Sequence, residues 1–109
     1  MTEAWKPLEL LAPAEPDTII PARAGEREFA AVLHDGEWRV FADLCTHAEC
    51  AFTEFGEIEA EDGVLICNCH GAEFALSDGS VRLEPAEEPL EMLPVRVDGD
   101  FGDLLVRLN

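Results

Sequence analysis

Short apolar segments alternate with turn residues in the first half of the chain. Residues 28–33 and 37–41 are both apolar-rich, and they flank His34-Asp35-Gly36. An Asp-Gly step between two apolar runs is a strong signal for a β-hairpin. A third short segment, residues 63–66, also has the composition of a strand. The pattern therefore predicts a hairpin followed, after an acidic loop, by one more strand.

The second half of the chain continues the same pattern. Residues 73–76 and 80–83 flank Ser77-Asp78-Gly79, which predicts a second hairpin with a glycine-bearing turn. Residues 93–97 alternate apolar and other side chains, and residues 103–108 are mostly apolar, so two final strands are expected around a turn at residues 98–100.

Strands of this length with Gly, Asp and Pro between them are typical of an all-β antiparallel sandwich or a small barrel. Few segments have a helical pattern. Prolines interrupt residues 84–89, which are expected to form a surface loop. Because no repeat, low-complexity tract or flexible linker divides the sequence, we expect a single domain over residues 1–109.

The charge of the chain is strongly acidic. Seven Lys and Arg stand against 24 Asp and Glu, for a formal net charge of −17. A phosphate backbone would be repelled, so nucleic acid is not an expected partner. No Lys or Arg lies between Arg39 and Arg82. This acidic middle is either a solubilising surface or a surface that steers a partner with a basic docking patch.

The distribution of apolar residues along the sequence does not predict a membrane-associated segment. No apolar run approaches the roughly 18–20 residues that a membrane-spanning helix needs. Residues 1–7 lack a basic region followed by an apolar stretch, so no signal peptide is expected. The expected location is the cytoplasm.

The residues able to carry chemistry fall into two clusters. The first runs from Cys45-Thr46-His47 to Cys50, and the second is Cys67-Asn68-Cys69-His70-Gly71. They contain all four cysteines and two of the three histidines of the chain. Cys-x-His and Cys-x-x-His on neighbouring loops offer two thiolates and two imidazoles, a mixed ligand set that suits zinc or iron.

This pair of motifs resembles that of the Rieske iron–sulfur family, which has Cys-x-His followed downstream by Cys-x-x-His-Gly. The resemblance implies one [2Fe–2S] cluster, with Cys45 and Cys67 on one iron and His47 and His70 on the other. It also implies a Rieske-type antiparallel β-sandwich with a small cluster-binding subdomain at about residues 43–84. A structural zinc site with the same four ligands is the alternative.

Cys50 and Cys69 are not required as ligands. Here the sequence resembles the subset of Rieske proteins, typified by cytochrome bc complexes, in which such a pair forms a disulfide between the two motif loops. The alternatives are two free thiols, which a cytoplasmic location would favour, or Cys69 in place of Cys67 as a ligand.

The chain departs from the bc-complex pattern just after the second motif. Those proteins usually carry Ser and Tyr where this chain has Ala72 and Phe74. Hydrogen bonds to sulfur stabilise the reduced cluster, so their loss predicts a potential in the low part of the Rieske range of roughly −150 to +300 mV. Phe52 and Phe74 are expected either to shield the cluster or simply to fill the core, and His34 is expected to be a surface residue.

The resemblance implies a non-catalytic role as a one-electron carrier. The leading hypothesis is a stand-alone ferredoxin that passes electrons from a flavin-dependent reductase to the terminal oxygenase of an aromatic-ring-hydroxylating dioxygenase system. No catalytic triad or phosphate-binding loop is present in the sequence, so no small-molecule substrate is expected. The alternatives are a small Rieske subunit bound permanently in a nitrite- or arsenite-type oxidoreductase, and a zinc-stabilised interaction module.

Overall fold

A computed structural model describes residues 5–44, 50–69, 71–83, 88–98 and 103–107 of the chain. Within these ranges the chain forms short strands and one four-residue helix. In chain order they are β1 (Trp5–Pro7), β2 (Glu9–Leu10), β3 (Ile20–Ala24), β4 (Arg27–His34), β5 (Glu37–Ala42), α1 (Phe52–Phe55), β6 (Gly56–Glu59), β7 (Val64–Cys67), β8 (Ala72–Ala75), β9 (Val81–Leu83), β10 (Met92–Leu93), β11 (Val95–Asp98) and β12 (Asp103–Arg107).

The strands form three sheets. One has three strands in the order β1-β12-β11, one has five in the order β10-β5-β4-β3-β2, and one has four in the order β6-β7-β8-β9. Every pair of neighbours within these sheets is antiparallel. The expected all-β antiparallel fold is therefore confirmed. Across the described ranges, no helix has the length and apolar character that crossing a membrane requires.

The predicted hairpin of the five-stranded sheet is confirmed. β4 and β5 pair from Phe29 opposite Ala42 to His34 opposite Glu37, so the loop between them has two residues. Those residues, Asp35 and Gly36, have φ angles of 50° and 77°. A two-residue turn with both φ angles positive is a type I′ turn, and Asp-Gly is one of its preferred sequences.

β4 is buried on both of its faces. Ala30 and Val32 belong to one core cluster, whereas Phe29 and Ala31 belong to another. Since successive side chains of a strand point to opposite faces, the five-stranded sheet lies between two separate cores. Leu104 and Val106 of the three-stranded sheet complete the second core; Leu65 and Phe74 of the four-stranded sheet complete the first. The five-stranded sheet is thus the middle layer.

The four-stranded sheet contains the predicted strand 63–66 and the predicted second hairpin, each shifted by about one residue. The acidic stretch before them was expected to be a loop, yet it contains α1 and β6. In β6, Glu57 and Glu59 are exposed while Ile58 packs against the first core. This alternation makes β6 an amphipathic edge strand despite its charge.

The prediction of a single strand at residues 93–97 is wrong, because this segment forms two short strands in different sheets. Met92–Leu93 pairs with β5 in the five-stranded sheet, whereas Val95–Asp98 pairs with β12 in the three-stranded sheet. Pro94 lies between them and has no N–H group to continue a ladder. The short strands β1, β2 and β3 were not predicted. The expected turn at 98–100 and loop at 84–89 lie largely outside the described residues.

Candidate metal centre

The first motif loop starts at the end of β5 and ends at α1. Asp43 and Leu44 lead out of β5, and Cys50 and Ala51 lead into the helix. Residues 45–49, which include the predicted ligands Cys45 and His47, lie outside the described residues. The two ends of the loop are therefore what the structure defines.

A carboxylate joins these two ends. Asp43 Oδ1 accepts a hydrogen bond from the Thr53 backbone N–H at 2.9 Å, and Asp43 Oδ2 accepts one from the Thr53 hydroxyl at 2.6 Å. Ala51 occupies the N-cap position of α1 and makes no side-chain cap. Asp43 thus satisfies a helical N–H that a capping side chain would otherwise satisfy.

The second motif loop connects β7 to β8. Cys67 is the last residue of β7, and its side chain is fully buried, with 0% of its surface exposed. The Gly71 N–H donates a hydrogen bond to the Cys67 carbonyl at 2.8 Å, and Gly71 has a φ of 84°. The loop therefore closes as a tight turn whose last residue has a backbone conformation that favours glycine. The predicted ligand His70 lies outside the described residues.

A disulfide between Cys50 and Cys69 joins the two motif loops, with 6.4 Å between the Cα atoms. The two cysteines are 19 residues apart in the sequence. The expected disulfide is confirmed, and the alternative of two free thiols is not. Because a metal ligand must be a thiolate, a disulfide-bonded Cys69 does not replace Cys67 as a ligand.

Asn68 connects the second motif loop to the helix and strand that follow the first motif loop. Its backbone N–H donates to the Phe55 carbonyl at 2.8 Å, and its side-chain Nδ2 donates to Glu57 Oε1 at 3.1 Å. Phe55 ends the helix that follows the first loop, while Asn68 directly follows Cys67. These two hydrogen bonds therefore hold the second motif loop against α1 and β6, in addition to the disulfide.

Three aromatic rings lie in the core cluster that contains Cys50 and Cys67. The Phe52 ring meets the Phe41 ring edge-to-face at 5.5 Å and the Phe74 ring at 6.0 Å between centroids. All three side chains have no exposed surface. Phe52 and Phe74 are therefore core residues, and the same packing excludes water from the neighbourhood of Cys67.

The two positions that depart from the bc-complex pattern face this core. Ala72 pairs with Cys67 across β7 and β8, and both Ala72 and Phe74 have 0% exposure. Neither side chain has a hydrogen-bond donor. A hydroxyl donor to a sulfur of the second loop is thus missing at both positions.

The carboxylates of the four-stranded sheet repel one another. Asp62, followed by partial desolvation and by Glu61 and Glu73, raises the pKa of Glu59, while the Arg82 guanidinium opposes the rise. By contrast, hydrogen bonds from Ser80 lower the pKa of Asp78 in the turn between β8 and β9. The acidic middle of the sequence therefore becomes a surface with an excess of negative charge.

His34 is more buried than its expected surface position. Its side chain is 15% exposed, and its Nδ1 lies 2.6 Å from Asp17 Oδ1. It lies beside the Asp35-Gly36 turn, at the opposite end of β5 from the first motif loop. This histidine links the segment before β3 to the hairpin.

The donor set of the two loops fits an iron–sulfur centre. The disulfide joins Cys50, which follows the Cys-x-His motif in the sequence, to Cys69 of the second motif, and Cys67 is buried in an apolar core. No three His, Cys, Asp or Glu side chains within the described ranges form a metal site of their own. Two sulfur and two nitrogen donors are the ligand set of a Rieske [2Fe–2S] centre.

The model of one protein family matches residues 5–94, and its description is Rieske [2Fe–2S] domain. The chain belongs to this family. The match covers both motif loops, the whole of the five-stranded and four-stranded sheets, and β1 of the three-stranded sheet. Membership implies one [2Fe–2S] cluster as the cofactor, in agreement with the donor set.

Two curated relatives of this Rieske chain are ferredoxins of oxygenase systems. The biphenyl dioxygenase ferredoxin subunit of a Pseudomonas species is 36% identical over 72 residues, which are 66% of this chain and 62% of the relative. The ferredoxin component of the alkene monooxygenase system of Xanthobacter autotrophicus is 35% identical over 75 residues, or 69% and 59%. The chain thus matches about three fifths of the length of each relative.

Solved structures agree on the Rieske fold. The ferredoxin of carbazole 1,9a-dioxygenase from Nocardioides aromaticivorans superposes with a TM-score of 0.80 and 24% identity, covering 97% of each chain. A ferredoxin from Sphingomonas yanoikuyae superposes with a TM-score of 0.80 and 22% identity, covering 99% of this chain and 100% of its own. At these identities the likeness establishes the fold.

Proposed function

We propose that this Rieske protein is a one-electron carrier that holds its [2Fe–2S] cluster through Cys45, His47, Cys67 and His70. One iron takes the two cysteine sulfurs and the other takes the two histidine nitrogens. The cluster-binding subdomain spans about residues 43–84 of a single domain over residues 1–109. The carrier itself catalyses no reaction on a small-molecule substrate.

The observation that supports this proposal best is the disulfide between the two motif loops. Cys50 lies three residues after His47 in the sequence and Cys69 lies directly before His70, so the disulfide between them, with 6.4 Å between the Cα atoms, supports a site that takes ligands from both motifs. The buried Cys67 lies in the same core cluster as Cys50. A site with ligands from both loops accounts for this joined arrangement.

When bound, the cluster supplies reversible transfer of a single electron. The residues of the chain determine how favourable that transfer is. The buried rings of Phe52 and Phe74 exclude water from the side of Cys67 that faces the core. Ala72 and Phe74 offer no hydroxyl to a sulfur, and the acidic surface disfavours added negative charge. All three features favour a low reduction potential.

The proposed partners follow from the relatives. Both curated relatives are named as ferredoxin parts of oxygenase systems. We infer that this carrier takes electrons from a flavin-dependent reductase and delivers them to the terminal oxygenase of an aromatic-ring-hydroxylating dioxygenase system. The proposed location is the cytoplasm, where such a carrier would work without a membrane.

The first test is the metal content and spectrum of the purified protein. We expect two irons and two acid-labile sulfides per chain, a reddish colour, and an EPR signal after dithionite reduction typical of histidine-ligated clusters. Separate Cys45→Ser, His47→Ala, Cys67→Ser and His70→Ala variants should each lose that signal. One zinc per chain without sulfide would overturn the proposal in favour of a zinc-stabilised module.

The second test is electron delivery. The terminal oxygenase of the same organism is mixed with dithionite-reduced carrier under anaerobic conditions, and oxidation of the carrier is followed by visible absorption. Fast, second-order oxidation is expected of a free carrier. A carrier that purifies only as a tight complex with a larger oxidoreductase would instead be a permanent subunit.

A further inference from the structure

The outer face of the four-stranded sheet, defined here by Glu57, Glu59, Ile66, Glu73 and Leu83, has an unusual composition. Register places Glu57 opposite Ile66, Ile66 opposite Glu73, and Glu73 opposite Leu83. The row that crosses the four strands therefore alternates between acidic and apolar side chains.

Burial shows that this row points away from the core. On the other face of the same strands, Ile58, Leu65, Phe74 and Val81 pack in or against the first core cluster. On the outer face, Glu57 and Glu59 are exposed and Leu83 keeps 49% of its surface exposed. The pairing of β8 with β9 has a bulge-like register shift, so Leu83 lies opposite Glu73 although Val81, two residues earlier, packs against the core. A large apolar side chain left this open beside glutamates is typical of the polar-rimmed patches that bind other proteins.

The charge on and beside this face is negative. Glu61 and Asp62 follow β6 in the turn to β7. Asp62, then desolvation, Glu61 and Glu73 raise the pKa of Glu59. Arg82 is the only Lys or Arg of the sequence between residues 40 and 95. The face therefore carries more repulsion than its own cations relieve.

The excess of negative charge determines which kind of partner can bind to this face. A second copy of the chain would bring two such faces together and would add to a repulsion already present within one copy. An anionic membrane surface would be repelled for the same reason. A protein surface with lysine or arginine around an apolar centre would relieve the repulsion and cover Leu83 and Ile66.

The face also lies next to the candidate metal centre. Ile66 directly precedes Cys67 in β7, and Glu57 accepts the hydrogen bond from Asn68 in the second motif loop. A partner that covers this face would thus lie beside the strand that carries a proposed cluster ligand.

We infer that the outer face of the four-stranded sheet is the docking surface for a redox partner with a basic rim and an apolar centre. This inference rests on the proposed electron-carrier function and adds to it the face that the terminal oxygenase contacts. The contact is transient. Opposite charges speed the encounter of the two proteins, and the apolar contacts of Leu83 and Ile66 set the orientation of the docked partner.

The test compares two variants with matched changes. Glu73→Lys with Leu83→Ser alters the outer face, whereas Asp103→Lys with Val97→Ser alters the three-stranded sheet, where Val97 is 57% exposed. Each pair of changes raises the net charge by two and removes one exposed apolar side chain. Stopped-flow absorption measures the second-order rate constant for oxidation of each reduced carrier by the terminal oxygenase.

We expect the outer-face variant to react about tenfold more slowly at low ionic strength and to lose most of the salt dependence of the wild-type rate. The control variant should react within about twofold of wild type by the same principle. Equal rates for the two variants would overturn the docking surface while leaving the carrier function intact. A wild-type carrier that the oxygenase does not oxidise would overturn the proposed function itself.

Cross-linking provides a readout that needs no variant. A carbodiimide joins carboxylates to lysines that they contact, so the wild-type carrier is cross-linked to the oxygenase and its modified residues are identified by mass spectrometry. Links at Glu57, Glu59 or Glu73 are expected. Links confined to carboxylates of the other two sheets would contradict the docking surface even if the variants failed to fold.

Discussion

Asp43 and Thr53 are joined by two hydrogen bonds that close the base of the first motif loop. The Asp43 carboxylate accepts from the Thr53 backbone N–H at 2.9 Å and from its hydroxyl at 2.6 Å. Between them lie the proposed ligands Cys45 and His47 and the disulfide-bonded Cys50. One carboxylate therefore sets the distance between the two ends of a loop that has to present its ligands accurately.

Replacing Asp43 by alanine should loosen the loop and speed the loss of the cluster. Thr53 then has two unsatisfied donors in a partly buried place, at a cost of about 1–3 kcal/mol. We expect the visible absorption of the oxidised protein to decay several times faster than in wild type at the same temperature.

The control for Asp43→Ala is Asp78→Ala. Asp78 Oδ1 accepts a comparable bond from the Ser80 backbone N–H at 2.9 Å, in the turn between β8 and β9 rather than in a motif loop. Equal rates of absorption loss in the two variants would show that Asp43 has no particular role in holding the cluster.

Removing the disulfide should lower the stability of the holoprotein. In the chain-entropy account, a bridge that closes a loop of this length stabilises the folded state by roughly 3 kcal/mol. The double variant Cys50→Ser with Cys69→Ser is therefore expected to unfold at a clearly lower urea concentration, measured by fluorescence of Trp38 and Trp5.

Chemical reduction of the disulfide tests its contribution to stability without a substitution. Wild type incubated with a phosphine reductant should unfold at the urea midpoint of the double variant. An unchanged midpoint in the double variant, with intact cluster absorption, would show that the disulfide does not stabilise the holoprotein.

The reduction potential should lie in the low part of the Rieske range of roughly −150 to +300 mV, because Ala72 and Phe74 supply no hydroxyl donor. Film voltammetry of the wild-type protein measures it directly. The Ala72→Ser variant, which adds a donor opposite Cys67, should have a higher midpoint. A wild-type midpoint above about +200 mV on the scale of the same principle would contradict the argument.

The repulsion around Glu59 predicts a pH effect on stability. Asp62 first, then desolvation, Glu61 and Glu73 raise the pKa of Glu59 above its usual 4.5, so the folded state binds its proton more tightly than the unfolded state does. The contribution of this group to folding is thus favourable below pH 4.5 and is lost as the pH rises through the folded pKa.

The Glu59→Gln variant has no carboxylate at this position, so it avoids the charge repulsion that lowers folding stability at neutral pH. The variant should melt at a slightly higher temperature than wild type at pH 7, and the difference should fade in 0.5 M salt, which shortens electrostatic range to about 4 Å. Glu15→Gln, an exposed glutamate before β3, is the control with the same loss of charge. A melting gain equal in both variants would assign the effect to net charge instead.

The features that depend on neighbouring residues could be predicted from the sequence. An Asp-Gly turn with positive φ angles at Asp35 and Gly36 is encoded by two neighbouring residues, so the central hairpin follows from them. The ligand motifs are likewise local: Cys and His at short spacings point to metal chemistry whatever surrounds them. Short apolar runs bounded by turn residues located β7, β8 and β12 to within about a residue.

Tertiary structure decided what depends on contacts between distant residues. Nothing local links Asp43 to Thr53. Pro94 marks a break between β10 and β11, but which sheet each strand joins depends on the neighbour that packs best against it. The short strands β1 to β3 and the acidic β6 lack a strong pattern of their own and form because the middle sheet offers edges and cores to cover. The outer face exists only because four separate strands align Glu57, Ile66, Glu73 and Leu83 in one row.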